Sequence, residues 1–306
     1  MRSPAGSLPR VVVFGEALTD LIRQDDGAHW LARPGGSPWN VARVAAGLGV
    51  PTAFAGAVSG DVFGDELAQE SAAAGLDLRF LQRLDYSPLL AVVPSTTPPR
   101  YFFVGDDSAD LHFDPAALPA GWLEAAEVVH FGSISLAREP LAARLVAEAQ
   151  RCREAGRFLT FDPNHRSPMG PGYGTTLERM VRLADAVKCS EDDLAGLFPE
   201  CAPQEALRRL RGWNPAALVL YTRGAMGMTL LSSAGDLYQP AFHVAVADVV
   251  GAGDACMGGW IASRLLRPGA SLSEHLAFAA ATAAAACRHA GAHAPTPEEV
   301  AEVRSR

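Results

Sequence analysis

The chain has 306 residues, of which 49% are apolar and 20% charged. That is long enough to bury a core without disulfides or a structural metal, and too apolar for a disordered chain. Acidic residues outnumber basic ones, 34 to 26, for a net charge of −8. No basic field is present to draw in a nucleic acid or an anionic membrane, although local dipoles can still hold a small anion.

The cysteines are Cys152, Cys189, Cys201, Cys256 and Cys287. Their odd number and the lack of a C-x-x-C pair predict neither a disulfide framework nor a cysteine zinc site, and fit a reducing cytoplasm. Met1 to Arg10 has no apolar core of a signal peptide, and the apolar stretch Phe278 to Cys287 is too short to span a bilayer. Lys188 is the only lysine, so any chemistry that needs one must use it.

Val11 to Phe14 is an apolar run ending at Gly15, the pattern of a buried strand. Leu21 to Ala32 has no helical period and carries the turn Asp25-Asp26-Gly27. Ser37 as N-cap with Pro38 in the first turn opens a helix that Gly49 closes. Thr52 to Val58 reads as a strand and Asp61 to Ala74 as an amphipathic helix. Pro88 to Val93 and Arg100 to Val104 read as a hairpin with a Pro-rich tip, Pro94 to Pro99.

Strands and helices then alternate. The strands are Glu127 to Phe131, Phe158 to Phe161, Ala186 to Lys188 and Ala217 to Tyr221. The helices are Leu141 to Ala155, Thr176 to Ala184, one from Glu191, and Gln204 to Arg211. A β-meander over Met226 to Val246 precedes two Ala-rich helices, Asp254 to Leu266 and Leu272 to Ala290. Such alternation predicts one α/β domain over residues 1–306, with a mostly parallel sheet covered on both faces. Segments 21–33 and 87–104 form a small β-insertion.

Several nucleotide motifs are excluded. The only lysine follows Ala186-Val187, so there is no Walker A. Gly251-Ala-Gly253-Asp-Ala-Cys256 lacks the third glycine of a dinucleotide fingerprint and lies far from the first strand. No H-E-x-x-H, EF-hand loop or G-x-S-x-G occurs.

The most informative segment is Asp248-Val-Val-Gly251-Ala-Gly253-Asp254, which runs into a helix. Free N–H groups and the positive dipole end at a helix start make an anion site. Asp254 reads either as a cap or, beside a phosphate cradle, as a general base. Pro34-Gly-Gly-Ser-Pro-Trp-Asn40 is a second glycine cluster before a helix. Polar groups also cluster after strands: Glu16 and Asp20, Asp162-Pro-Asn164-His-Arg166, and Thr222-Arg-Gly224. In open α/β sheets, ligands bind at these carboxyl ends.

Together these motifs identify a resemblance. Pro34 to Ala42, Gly56 to Gly64, Phe161 to Arg166, Lys188 to Glu191, Thr222 to Gly227 and Asp248 to Asp254 resemble, in order and spacing, the ribokinase-like (pfkB) carbohydrate kinases. The likeness runs from Val11 to about Pro295 and is nearest in form to fructokinases. It implies a three-layer α/β/α fold with a small β-sheet lid, and transfer of the γ-phosphoryl of ATP to a sugar hydroxyl, most similar to fructose giving fructose 6-phosphate. Ribose, 2-keto-3-deoxygluconate and nucleoside kinases are the near alternatives, and a non-catalytic sugar sensor on the same scaffold is the distant one.

The resemblance makes Asp254 the base, and the N–H groups of Gly251, Ala252 and Gly253 the anion hole. It assigns the sugar to Asp20, Gly36, Asn40 and Arg166, with the lid aromatics Tyr101 and Phe103 above. It assigns the nucleotide side to Lys188, Glu191, Thr222, Gly224 and Gly227. Mg²⁺ would be held largely by phosphates and water with Glu191 in the outer shell, and a monovalent cation such as K⁺ would lie near Asp248. Apolar lid strands suggest a homodimer through the lid. Gly60, Val104, Met169-Gly170 and Lys188 depart from the family pattern, and none of them touches the base or the anion hole.

Overall fold

The computed structural model describes residues 7–24, 27–96, 99–167, 169–170 and 172–305. Thirteen strands are formed among them: β1 (Val11–Phe14), β2 (Leu18–Arg23), β3 (Trp30–Gly35), β4 (Thr52–Ser59), β5 (Leu81–Leu84), β6 (Leu90–Thr96), β7 (Pro99–Val104), β8 (Val128–Gly132), β9 (Phe158–Asp162), β10 (Ala186–Ser190), β11 (Leu218–Thr222), β12 (Met228–Leu231) and β13 (Leu237–Gln239). The helices are α1 (Ser37–Gly47), α2 (Val62–Ala73), α3 (Trp122–Ala125), α4 (Leu141–Glu154), α5 (Tyr173–Leu183), α6 (Glu191–Leu197), α7 (Pro203–Trp213), α8 (Ala252–Leu266), α9 (Leu272–Ala286) and α10 (Pro297–Ser305).

Nine strands make one sheet in the order β13-β12-β11-β10-β9-β8-β1-β4-β5. Pairing is parallel from β5 to β11 and antiparallel only at β12 and β13. The side-chain alternation of β1 divides the molecule. Val11 and Val13 join the core under α1, α8 and α9, while Val12 and Phe14 join the core under α4, α5 and α7. This is the three-layer arrangement the alternation predicts. The strand order turns at β1, where β4 lies on one side and β8 on the other. A ligand crevice opens at the carboxyl ends beside such a point.

The second sheet has four strands in the order β3-β2-β6-β7. Its strands come from residues 18–35 and 90–104, with β2 running parallel to β6. Asp25-Asp26 of the expected turn and Thr97-Pro98 of the Pro-rich tip lie outside the described residues.

Several local expectations are corrected. The N-cap of α1 is Gly36, and Ser37 is the first helical residue. Phe242 to Val246 is not a strand; the chain runs on irregularly to the bond from Ala247 N to the Cys287 carbonyl. The helix expected to reach Ala290 ends at Ala286, and α10 follows it. Among the described residues, no helix is long and apolar enough to cross a membrane.

Candidate active site

Helix α8 begins at the crevice. Gly251 is its N-cap, with φ 77°. A Cβ there would lie 2.7 Å from the Ala292 Cβ, so glycine is required both for conformation and for space. The N–H of Ala252 bonds the Val249 carbonyl over 3.2 Å. Of the expected anion-hole donors, therefore, Ala252 is already engaged, whereas the N–H groups of Gly251 and Gly253 bond no acceptor among the described residues. Gly253 and Asp254, in the first turn of α8, add the unsatisfied donors of a helix start.

Asp254 points at α1 rather than along its own helix. Ser37 Oγ donates to its Oδ1 over 2.7 Å, and Asn40 Nδ2 donates to its Oδ2 over 2.9 Å. It does not cap α8 with its side chain. Burial pushes its pKa up, against these two bonds and the nearby charges of Lys188 and Arg166. A buried carboxylate of raised basicity, fixed by two donors, is suited to accept a proton. Asn40 Oδ1 is buried with no hydrogen-bond partner among the described residues.

Lys188 lies beneath the turn. Its Nζ is 2.9 Å from Asp162 Oδ2 and 3.6 Å from Asp193 Oδ2, and a Cβ on Gly253 would be 3.0 Å from it. Burial opposes its charge, but the two carboxylates outweigh burial and raise its pKa. Burial pushes Asp162 up to about 7. Lys188 was expected on the nucleotide side; it is instead a buried cation at the floor of the anion turn. Asp193, which sequence reasoning passed over, lies two residues beyond Glu191 in the first turn of α6. It forms a capping box with Ser190, accepts the His165 N–H over 2.7 Å, and faces Lys188. Glu191 is exposed on the first turn of α6, beside Tyr221. The usable signal was three successive acids at a helix start just after the only lysine.

On the other side of Asp254 the small sheet covers the crevice. Asp20 lies within β2 rather than directly after β1, and its Oδ2 is 2.4 Å from where a Gly35 Cβ would stand. Burial lifts Asp20 to about 6, moderated by the Arg166 charge. Gly36, at φ 113°, lets the chain pass the Glu16 carbonyl, 2.5 Å from an added Cβ. The Arg166 guanidinium is held by the Asn164 and His165 carbonyls and lies 5.9 Å from the Tyr101 ring centre. Tyr101 and Phe103 share one face of β7, edge to face at 5.8 Å, while Phe102 points to solvent. At the β1 end, burial raises the Glu16 carboxyl to about 7 against bonds from Ser135 and Ser133.

Thr222 ends β11, and Gly224 and Gly227 shape the turn into β12 with φ 50° and 77°. Asp248 accepts the Val250 N–H on Oδ1 and the Gly291 N–H on Oδ2, at 3.1 and 2.8 Å. Against burial, these bonds and the Val249 N–H hold it below the usual carboxylate range.

The structure thus gathers Asp20, Gly36, Asn40, Arg166, Tyr101 and Phe103 on one side of Asp254, with Lys188, Asp162 and Asp193 below the turn. Thr222, Gly224, Gly227 and Glu191 lie at the ends of the neighbouring strands β10 and β11.

In sequence and fold the chain is similar to known carbohydrate kinases. A fructokinase of Klebsiella pneumoniae is 32% identical over 260 residues, covering 83% of each chain. The structure of a Xylella fastidiosa fructokinase with bound ATP superposes with a TM-score of 0.88 at 28% identity, covering 97% of this chain and 99% of that one. An aminoimidazole riboside kinase of Salmonella enterica, complexed with aminoimidazole riboside and an ATP analog, gives 0.83 at 29% identity, covering 96% and 99%. Residues 8–299 match the pfkB family of carbohydrate kinases, and the chain belongs to that family.

Proposed function

We propose that this carbohydrate kinase transfers the γ-phosphoryl of ATP to the 6-hydroxyl of fructose. The observation that carries the reading is Asp254, a buried carboxylate held by Ser37 and Asn40 at the mouth of an anion-binding turn. In the step, the sugar oxygen attacks the γ-phosphorus, its proton passes to Asp254, and the bond to the β-phosphate oxygen breaks to release ADP. The N–H groups of Gly251 and Gly253, with the Lys188 charge below, stabilise the migrating phosphoryl. Asp20, Gly36, Asn40 and Arg166 orient the sugar, and Tyr101 and Phe103 close over it. Thr222, Gly224 and Gly227 line the nucleotide side.

Mg²⁺ fits this site in an outer role. Lys188 already neutralises Asp162 and Asp193. The metal would therefore take its oxygens from phosphates and water, with the exposed Glu191 at the rim, and would neutralise phosphate charge. A monovalent cation would rest beside the Asp248 carboxylate. Five cysteines without a disulfide among them suit a reducing cytoplasm. Phe102 and Val104, 55% and 47% exposed on the edge strand β7, support pairing with a second copy through the lid, which a monomer in sedimentation velocity would rule out.

The likeness to an aminoimidazole riboside kinase supports a riboside as the second reading. The test is purified protein with Mg-ATP and a panel of fructose, ribose, adenosine, aminoimidazole riboside and 2-keto-3-deoxygluconate. Fructose should give the highest kcat/KM; phosphorylation of none would refute the kinase reading, and a riboside preference would replace fructose. Asp254→Asn should cost about 10²–10⁴ in kcat with sugar binding retained, and unchanged turnover would remove Asp254 as the base.

A further inference from the structure

Between α9 and α10, away from the catalytic carboxylate, three side chains converge. His289 Nε2 is 2.8 Å from Glu299 Oε1, and His293 Nε2 is 3.0 Å from Glu299 Oε2. The imidazoles stack at 3.8 Å between ring centres, tilted by 26°. The three donor atoms all lie within 4.8 Å of one another. Their spacing follows from the chain: His289 and His293 flank the turn at Gly291, and Glu299 enters from the first turn of α10.

The carboxylate is aimed by its own second contact. Thr296 N donates to Glu299 Oε2 over 2.8 Å, and Glu299 N donates back to Thr296 Oγ1 over 3.3 Å. These reciprocal bonds are the capping box of α10, with Thr296 as N-cap, and they fix the direction of the carboxylate. Each imidazole turns its Nε2 to one oxygen of the same carboxylate, so three donor groups face one another across a small space. A divalent cation accepts a lone pair from each group and supplies the charge that balances Glu299.

We propose that His289, His293 and Glu299 form a binding site for a borderline divalent cation of the Zn²⁺ class. Imidazole with one carboxylate selects such ions over Mg²⁺ or Ca²⁺, which prefer all-oxygen shells. Bonds of about 2.0–2.2 Å to nitrogen and oxygen place neighbouring tetrahedral donors roughly 3.3–3.5 Å apart. To direct both Nε2 lone pairs at one ion the stacked rings turn apart, a movement their partial solvent exposure permits. All three side chains are partly solvent-accessible, so water completes the shell.

The site lies behind the anion turn. Gly291 N–H holds Asp248, and Ala292 fills the space that requires glycine at 251. A cation joining residues 289 and 293 to α10 therefore clamps the loop that backs Gly251.

The experiment uses tag-free, chelator-treated full-length protein titrated with Zn²⁺ by calorimetry, without sugar or ATP, so that its outcome is independent of the kinase reading. One equivalent should bind and raise the thermal unfolding midpoint. The double variant His289→Gln/His293→Gln should lose at least tenfold in affinity and lose the thermal shift. Glu299→Gln keeps an oxygen for the Thr296 N–H, so it removes a ligand without loosening α10, and it should weaken binding as well. No uptake by the wild type, or equal uptake by these variants, overturns the proposal. So does a thiolate charge-transfer band on Co²⁺ loading, which would place the metal on cysteine.

Discussion

Asn40 gives its amide Nδ2 to Asp254 Oδ2 over 2.9 Å, while its own Oδ1 stays buried without a partner among the described residues. One side chain thus holds the Asp254 carboxylate and carries a buried, unsatisfied acceptor of its own. An unsatisfied buried acceptor costs about 1–3 kcal/mol, which a sugar hydroxyl would recover on binding. Asn40→Ala should therefore raise the KM for sugar on the order of ten- to a hundredfold. It should lower kcat as well, because Asp254 loses a donor, and leave the KM for ATP nearly unchanged. Steady-state kinetics with each substrate varied separately checks this, and an unaltered sugar KM would contradict the assignment.

Lys188 answers to a different test. Its ammonium is enclosed by Asp162 and Asp193, so Lys188→Met leaves two buried carboxylates without a counter-charge. Breaking a buried pair in this way costs about 3–5 kcal/mol. Chemical denaturation should show a loss of that order. The triple variant that also carries Asp162→Asn and Asp193→Asn should recover much of the stability. It should not recover turnover, since the positive charge under the anion turn is still missing. Full activity in the triple variant would show that the charge serves folding alone.

The pH profile should single out Asp20. Burial lifts it to about 6, above the roughly 3.9 of an unfolded aspartate. The folded chain therefore takes up this proton first. The ionised form costs stability above pH 6, and that cost is relieved as pH falls towards 4. If Asp20 binds the sugar as proposed, it does so as the carboxylate, so kcat/KM should fall as pH drops through about 6. Asp20→Asn should lower the plateau and remove that limb, and its stability relative to the wild type should be greater at pH 8 than at pH 5. An acid limb that persists unchanged in the variant would place the titration on another group.

Much of the scaffold is legible in the sequence because burial there is regular. The apolar runs Val11 to Phe14 and Phe158 to Phe161 can only be interior strands, and both are. Elements with weak patterning are harder to read. β5, Leu-Gln-Arg-Leu, is an edge strand with polar residues at its centre, and α10 follows a Pro-rich approach with little apolar content. Phe242 to Val246 alternates like a strand, yet no neighbouring strand pairs with it. At the site, glycines and isolated acids in loops are visible because few other roles require them there. Ser37 and Asp193 are hidden because each looks like ordinary helix-start chemistry. Ser37 turns its hydroxyl to a carboxylate 217 residues away, a pairing that no local pattern records. Asp193 does cap α6, and its second role appears only when β10 brings Lys188 beside it.

The bonds from Ser37 and Asn40 to Asp254 join the early part of the chain to its last fifth, across 217 and 214 residues. During synthesis, both donors and the covering sheet leave the ribosome long before their acceptor does. A nascent chain halted before α8 would lack both Asp254 and the helices that bury Val11 and Val13, so core and carboxylate are completed together only as translation nears its end.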